Sequence, residues 1–157
     1  SQKSLHTFVI IKNPHTGITI EVFSLDKAEY KEFINLSIDF YKKYSKFKSD
    51  YLDAKYEDKE PIRIQYGERL SSQLQQLAIL LQIDKIIDYI NLAAPECDSL
   101  IFVPHFFLHL LPLHALPIQP SGQVLLDRFV GGIRYIPSCS LLKSLRGVRP
   151  SYDTFSN

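Results

Sequence analysis

At 157 residues and 18.1 kDa, the chain can enclose one sizeable core and is short for two. Its 45% hydrophobic and 22% charged residues exclude the disordered class. Eighteen Lys and Arg against 17 Asp and Glu leave a formal charge of +1, which excludes the basic field that broad nucleic-acid binding needs.

No stretch reaches the roughly 18 uninterrupted apolar residues of a membrane span, and SQKSLHTFVIIK lacks the length and cleavage site of a secretory signal. Two cysteines, Cys97 and Cys139, are too few for a disulfide framework or a thiolate zinc site. The expected class is a soluble, intracellular domain with a cytoplasmic location. The chain contains no Met, opens on SQKS and stops in PSYDTFSN, so it is read as a piece of a longer protein.

Phe8-Val9-Ile10-Ile11 and Ile18 to Phe23 are β-branched and aromatic runs. Between them Asn13-Pro14-His15-Thr16-Gly17 supplies the fixed and positive φ values of a reversing loop, which predicts a β-hairpin. Ile18, Ile20 and Val22 share one side of the second strand and Thr19, Glu21 and Phe23 the other, an alternation that fits a sheet with one buried face. Ser24 is placed to cap a helix. From Asp26 to about Phe47, the residues Phe33, Leu36, Phe40, Tyr44 and Phe47 fall on one helical face.

The polar stretch Lys48 to Glu60 reads as a surface loop. Pro61 suits the first turn of a second helical region. There Leu70, Leu74, Leu77, Leu81, Ile86, Ile87 and Ile90 keep helical spacing up to Asn91, as one helix or as two broken near Asp84. Leu100 to Val103 is a continuous apolar run, the pattern of a strand covered on both faces, and Pro104 stops it. His105 to Pro117 is apolar and interrupted by prolines, so a helix is disfavoured and a buried extended segment is expected. Ser121-Gly122 marks a turn. Arg128-Phe129-Val130 followed by Ile133 to Ile136 predicts another strand, and Ser138 can cap a helix from Ser140 to Arg146.

His105, His109 and His114 are the obvious candidates for a metal site, but they lack the His-Glu-x-x-His spacing of a helical zinc site. Polar tips satisfied by backbone carbonyls are the favoured reading. Cys139, at a helix start, has a setting that favours a thiolate, and a nearby imidazole would complete a nucleophilic pair; burial as structural filler is preferred. Cys97 lies between Glu96 and Asp98, which disfavours a thiolate. Gly131-Gly132 lacks the phosphate-loop pattern and marks a bulge or a close backbone approach. Lys143, Arg146 and Arg149 read as a solvated basic group. No residue is assigned a catalytic, cofactor-binding or metal-ligating role, and no cofactor is expected.

LIFVPHFFLHLLPLHALP followed by GQVLLDRFVGGIRYIPSCSLLKSL resembles the CHAT family, caspase-like domains associated with tetratricopeptide repeats in bacteria. The matching positions are Leu100 to Pro104, Leu108 to Pro112, Ala115 to Pro117 and Tyr135 to Ser138. His105 departs from the Asp common in that family. The resemblance implies an α/β fold, in which an N-terminal hairpin and helices lead into the first part of a caspase-like sheet. It divides one incomplete domain into residues 1–98, the hairpin-plus-helices part, and 99–157, the first strands of the core.

It also implies a cysteine endopeptidase whose His and Cys follow the Tyr-x-Pro-Ser helix. No histidine follows His114 here, so the chain alone is expected to be inactive and to serve as structural support. The alternative is a non-enzymatic interaction or regulatory module on a degenerate scaffold. The implied partners are the remaining C-terminal half of the domain, a tetratricopeptide-repeat region, and a protein or peptide substrate. Self-association through exposed apolar edges is a further expectation; nucleic acid and membrane are not expected partners.

Overall fold

The structure is a computed structural model that describes residues 4–13 and 17–138. The expected hairpin is present: β1 (His6–Asn13) pairs antiparallel with β2 (Gly17–Ser24), with His6 opposite Ser24 and Asn13 opposite Gly17. Gly17 has φ +87°, a left-handed conformation that glycine adopts without a Cβ penalty. The buried face is not the more apolar one. Val9 and Ile11 pack toward the core, whereas Ile18, Ile20 and Val22 face outward.

Helix α1 (Lys27–Asp53) starts two residues later than the Ser24 cap would place it. Asp26 is the N-cap. Its Oδ1 accepts from the N–H groups of Ala28 (2.7 Å) and Glu29 (2.9 Å), and Glu29 Oε2 accepts from the Asp26 N–H at 2.8 Å. This reciprocal box satisfies donors that Ser24 would have left open, and the Ser24 hydroxyl is bonded instead to His6 Nδ1 at 2.7 Å.

The loop expected from Lys48 to Glu60 is helical except around Ala54 and Lys55. α1 continues to Asp53 and α2 (Tyr56–Leu80) begins three residues later. Contacts between Asp39 and Gln73, Phe47 and Tyr66, and Tyr51 and Lys59 run in opposite order along the two helices, so they are antiparallel. Their far halves bury no side chain fully. They are held together by the stacked Phe47 and Tyr66 rings, 4.1 Å apart, and by Lys59, whose ammonium lies 5.0 Å from the Tyr51 ring centre. From Lys48 to Glu60 the chain has too few apolar residues to carry a stripe, which is why its periodicity is silent there. Pro61 lies inside α2, not in its first turn; the Glu57 carbonyl it cannot reach is on an exposed turn.

The break between helices falls at Gln82, whose φ is +55°, and α3 (Ile83–Ala93) follows. Asp84 does not make the break. Its carboxylate accepts the Gln119 N–H at 2.9 Å and ties α3 to a later loop.

β3 (Ser99–Phe102) pairs parallel with β4 (Gly132–Tyr135), Ser99 opposite Gly132 and Phe102 opposite Tyr135. The chain between them forms two short 3-10 turns, Phe106–Leu110 and Leu113–Ala115, and the single-turn α4 (Leu125–Arg128). Three expectations are therefore corrected. The proline-rich segment is turned, because prolines that exclude an α-helix still permit one turn of 3-10 helix between them. Arg128 ends α4, and Phe129 and Val130 belong to neither strand. β3 is not covered on both faces, since Ile101 is 43% exposed.

The close approach expected at Gly131-Gly132 is present. The Gly131 N–H donates to the Asp98 carbonyl at 2.8 Å, and a Cβ on Gly131 would stand 2.7 Å from the Asp98 side chain. Phe33, Phe40, Leu74, Leu77, Ile87 and Ile90 from the helices share one core with Leu111, Leu113, Leu116, Leu125 and Phe129 from the crossover. The described residues are thus broadly α/β, mostly helical with two small sheets. No helix among the described residues is long and apolar enough to cross a membrane.

Candidate functional site

In parallel α/β sheets, ligands collect beyond the carboxyl ends of the strands; here Tyr135 ends β4 and His105 follows β3 by three residues. β3 ends at Phe102 and leads through buried Pro104 to His105. Phe106 follows with φ +51° and is 76% exposed, an uncommon backbone state for a bulky side chain. The His105 ring stands edge-on to the Phe106 ring at 4.8 Å. His109 lies exposed on the first 3-10 turn.

His114, on the second turn, is the one histidine of this segment that meets the end of β4. Its backbone N–H donates to the Tyr135 hydroxyl oxygen at 2.9 Å, and its Nδ1 lies 3.0 Å from the same oxygen. The imidazole tautomer sets which of Nδ1 and the phenol oxygen donates in this second contact. Partial burial pushes the Tyr135 phenol above its ordinary range, and the backbone N–H groups of His114 and Leu113 act against that rise. The Tyr135 hydroxyl thus links the second 3-10 turn to the end of β4.

The three histidines are not gathered into a centre. Among the described residues no group of three His, Cys, Asp or Glu side chains could hold a metal ion. An extended chain would set His105 and His109 on one face; the 3-10 turn Phe106–Leu110 stands in its place. Cys97 is half-buried, and its thiol donates to the Ser99 carbonyl at 3.2 Å. Cys139, the helix from Ser140 to Arg146 and the basic group Lys143, Arg146 and Arg149 lie outside the described residues.

Sequence reading places Tyr135 only in its strand and in the Tyr-x-Pro-Ser motif. Its partner, 21 residues earlier, is set by the crossover and leaves no local signal. Arg128 is likewise a structural tie: it donates to the Asn91 side chain at 2.8 Å and to the Cys97 carbonyl at 3.3 Å. The arrangement holds a strand end in place and assembles no nucleophile, base and oxyanion donor together. No family model, curated protein or solved structure matches the chain.

Proposed function

We propose that this chain is the N-terminal part of a CHAT-type, caspase-like domain, acting as the support on which the rest of the sheet and its catalytic His and Cys are built. The observation that supports this reading is the unfinished state of the β3–β4 pair. Parallel strands occur in sheets with both faces covered, yet Ile101 is 43%, Val103 38% and Tyr135 43% exposed. A two-stranded parallel pair is too small to be stable on its own merits, and further strands with their crossover helices would extend it and cover these side chains.

On this reading the Pro104 to Pro117 segment seals one side of the sheet, and the His114–Tyr135 pair fixes the ends of both strands. The activity carried by the whole domain would be peptide-bond hydrolysis by a cysteine thiolate. The chain in hand supplies none of it.

Purified protein assayed with fluorogenic peptides under reducing conditions should show no thiol-dependent cleavage and no labelling by caspase-type covalent inhibitors. Turnover abolished by Cys139→Ala would defeat the proposal. The reading frame beyond Asn157 gives a second test: the proposal requires a His-Gly pair and, later, a Cys ending a strand. The interaction-module alternative is favoured by one separate observation, the exposed apolar face of the N-terminal hairpin; a frame that continues without that pair would select it.

A further inference from the structure

The hairpin is turned with its more apolar side to solvent. Phe8 lies opposite Val22, Ile10 opposite Ile20 and Lys12 opposite Ile18. Directly paired residues of an antiparallel ladder share a face, so Phe8, Ile10, Ile18, Ile20 and Val22 form one plate. They are 62%, 61%, 66%, 58% and 46% exposed. The other side carries Thr7, Thr19 and Glu21, the last two also exposed, and it packs inward through Val9, Ile11 and Phe23, whose ring meets Tyr89 of α3 at 6.4 Å. A half-buried sheet ordinarily does the reverse.

Scaled to whole side-chain areas, these exposures leave roughly 500 Å² of continuous apolar surface, near the upper end of what the largest patch on a monomer reaches.

We propose that this plate is the contact surface of a two-fold dimer, occupied by the same plate of a second copy. Three features favour a second copy over an unlike partner. Two such plates buried face to face remove about 1,000 Å², which reaches the lower bound of a specific interface. Sheets stack this way about 10 Å apart, and the Ile and Val side chains are stiff at χ1, so little freedom is lost on contact.

The polar groups are also arranged for it. Lys12 is the single formal charge on the plate and lies at one end, while the hydrogen-bonded His6–Ser24 pair lies at the other. A two-fold axis running across the strands reverses one hairpin on the other. Each Lys12 then faces a His6–Ser24 pair instead of a second Lys12. An isologous contact of this kind closes on itself and needs no third molecule. The proposal is independent of the CHAT reading, because it rests on β1 and β2 alone.

Sedimentation equilibrium of the full chain from about 1 to 100 μM tests it. The expected wild-type result is a dimer mass. Ile10→Thr/Ile20→Thr keeps strand propensity while removing apolar area from both copies, and should weaken association by roughly a hundredfold with unchanged far-UV circular dichroism. If that variant loses secondary structure, Ile18→Lys at the end of the plate serves instead and should also yield monomer.

Ile101→Thr, on the β3 face, should leave the dimer intact. A wild-type monomer at every concentration overturns the proposal, whether residues 139–157 or a lipid surface takes the plate. So does a dimer that survives both hairpin variants, or one that dissociates with Ile101→Thr.

Discussion

Leu77→Ala removes a side chain with no solvent exposure from the face of α2 that meets the rest of the core. Three buried carbons at about 0.8 kcal/mol each account for about 2.4 kcal/mol of transfer free energy. The cavity left between α2 and its neighbours adds to this, so the total loss is about 3 to 4 kcal/mol. At about 3 °C per kcal/mol for a chain of this length, Tm should fall by about 10 °C.

Ile79→Ala provides the comparison. It lies two positions further along the same helix and is 64% exposed, so its change should stay below about 1 kcal/mol. Urea denaturation followed by circular dichroism, at one fixed protein concentration so that association does not enter, measures both. Equal shifts of the urea midpoint for the two variants would refute the assignment of the buried face of α2.

Asp26→Ala should cost about 1 kcal/mol by removing the cap of α1, whereas Ser24→Ala should cost less, and matched urea melts would separate them. Gly131→Ala should destabilise by about 1 to 2 kcal/mol because its methyl meets the Asp98 carboxylate, and Asp98→Ala in the same chain should restore part of the loss. A double-mutant cycle showing strict additivity would disprove that contact. The phenols of Tyr135 and Tyr66 are both raised in the folded state by burial, with Tyr44 adding to the rise at Tyr66. A raised folded pKa gives stability that is fully present below the unfolded value of 10.0 and is lost as pH rises through the folded value. Tyr135→Phe should therefore make stability fall less steeply above pH 10, and an unchanged alkaline slope would contradict it.

The hairpin was legible because a Pro- and Gly-containing turn separates two β-branched runs, and α3 because its Ile spacing is strongly helical. The join of α1 and α2, Lys48 to Glu60, was not legible as helix. DYLDAKYEDKE has the composition of a loop, and its helical state depends on a partner helix and on Phe47 finding Tyr66, which no local window contains. The same holds for which side of the hairpin is inward: alternation defines two faces, but tertiary packing chose the one bearing Thr7, Thr19 and Glu21. Phe102 to Ile136 was legible as strand, prolines and strand. The joining of His114 to Tyr135 was not, because it follows from a parallel pairing between segments more than thirty residues apart. The close approach at Gly131 could be anticipated from glycine alone, since a residue with no side chain marks a place where something else must fit.

The two long helices diverge in character along their length. Near the core α1 is anchored by Phe33, Ser37 and Phe40 and α2 by Gln73, Leu74, Leu77 and Ala78, whereas residues 41–53 and 56–72 bury no side chain fully. That outer portion extends about 20 Å, at about 1.5 Å per residue. With few apolar contacts to lose, it can open without unfolding the base. Amide exchange along both helices should accelerate toward Ala54, and a protease cutting near that bend would leave the inner assembly standing. The arm behaves as a spring hinged on a rigid block, riveted across by the Phe47–Tyr66 stack and by Lys59 over Tyr51.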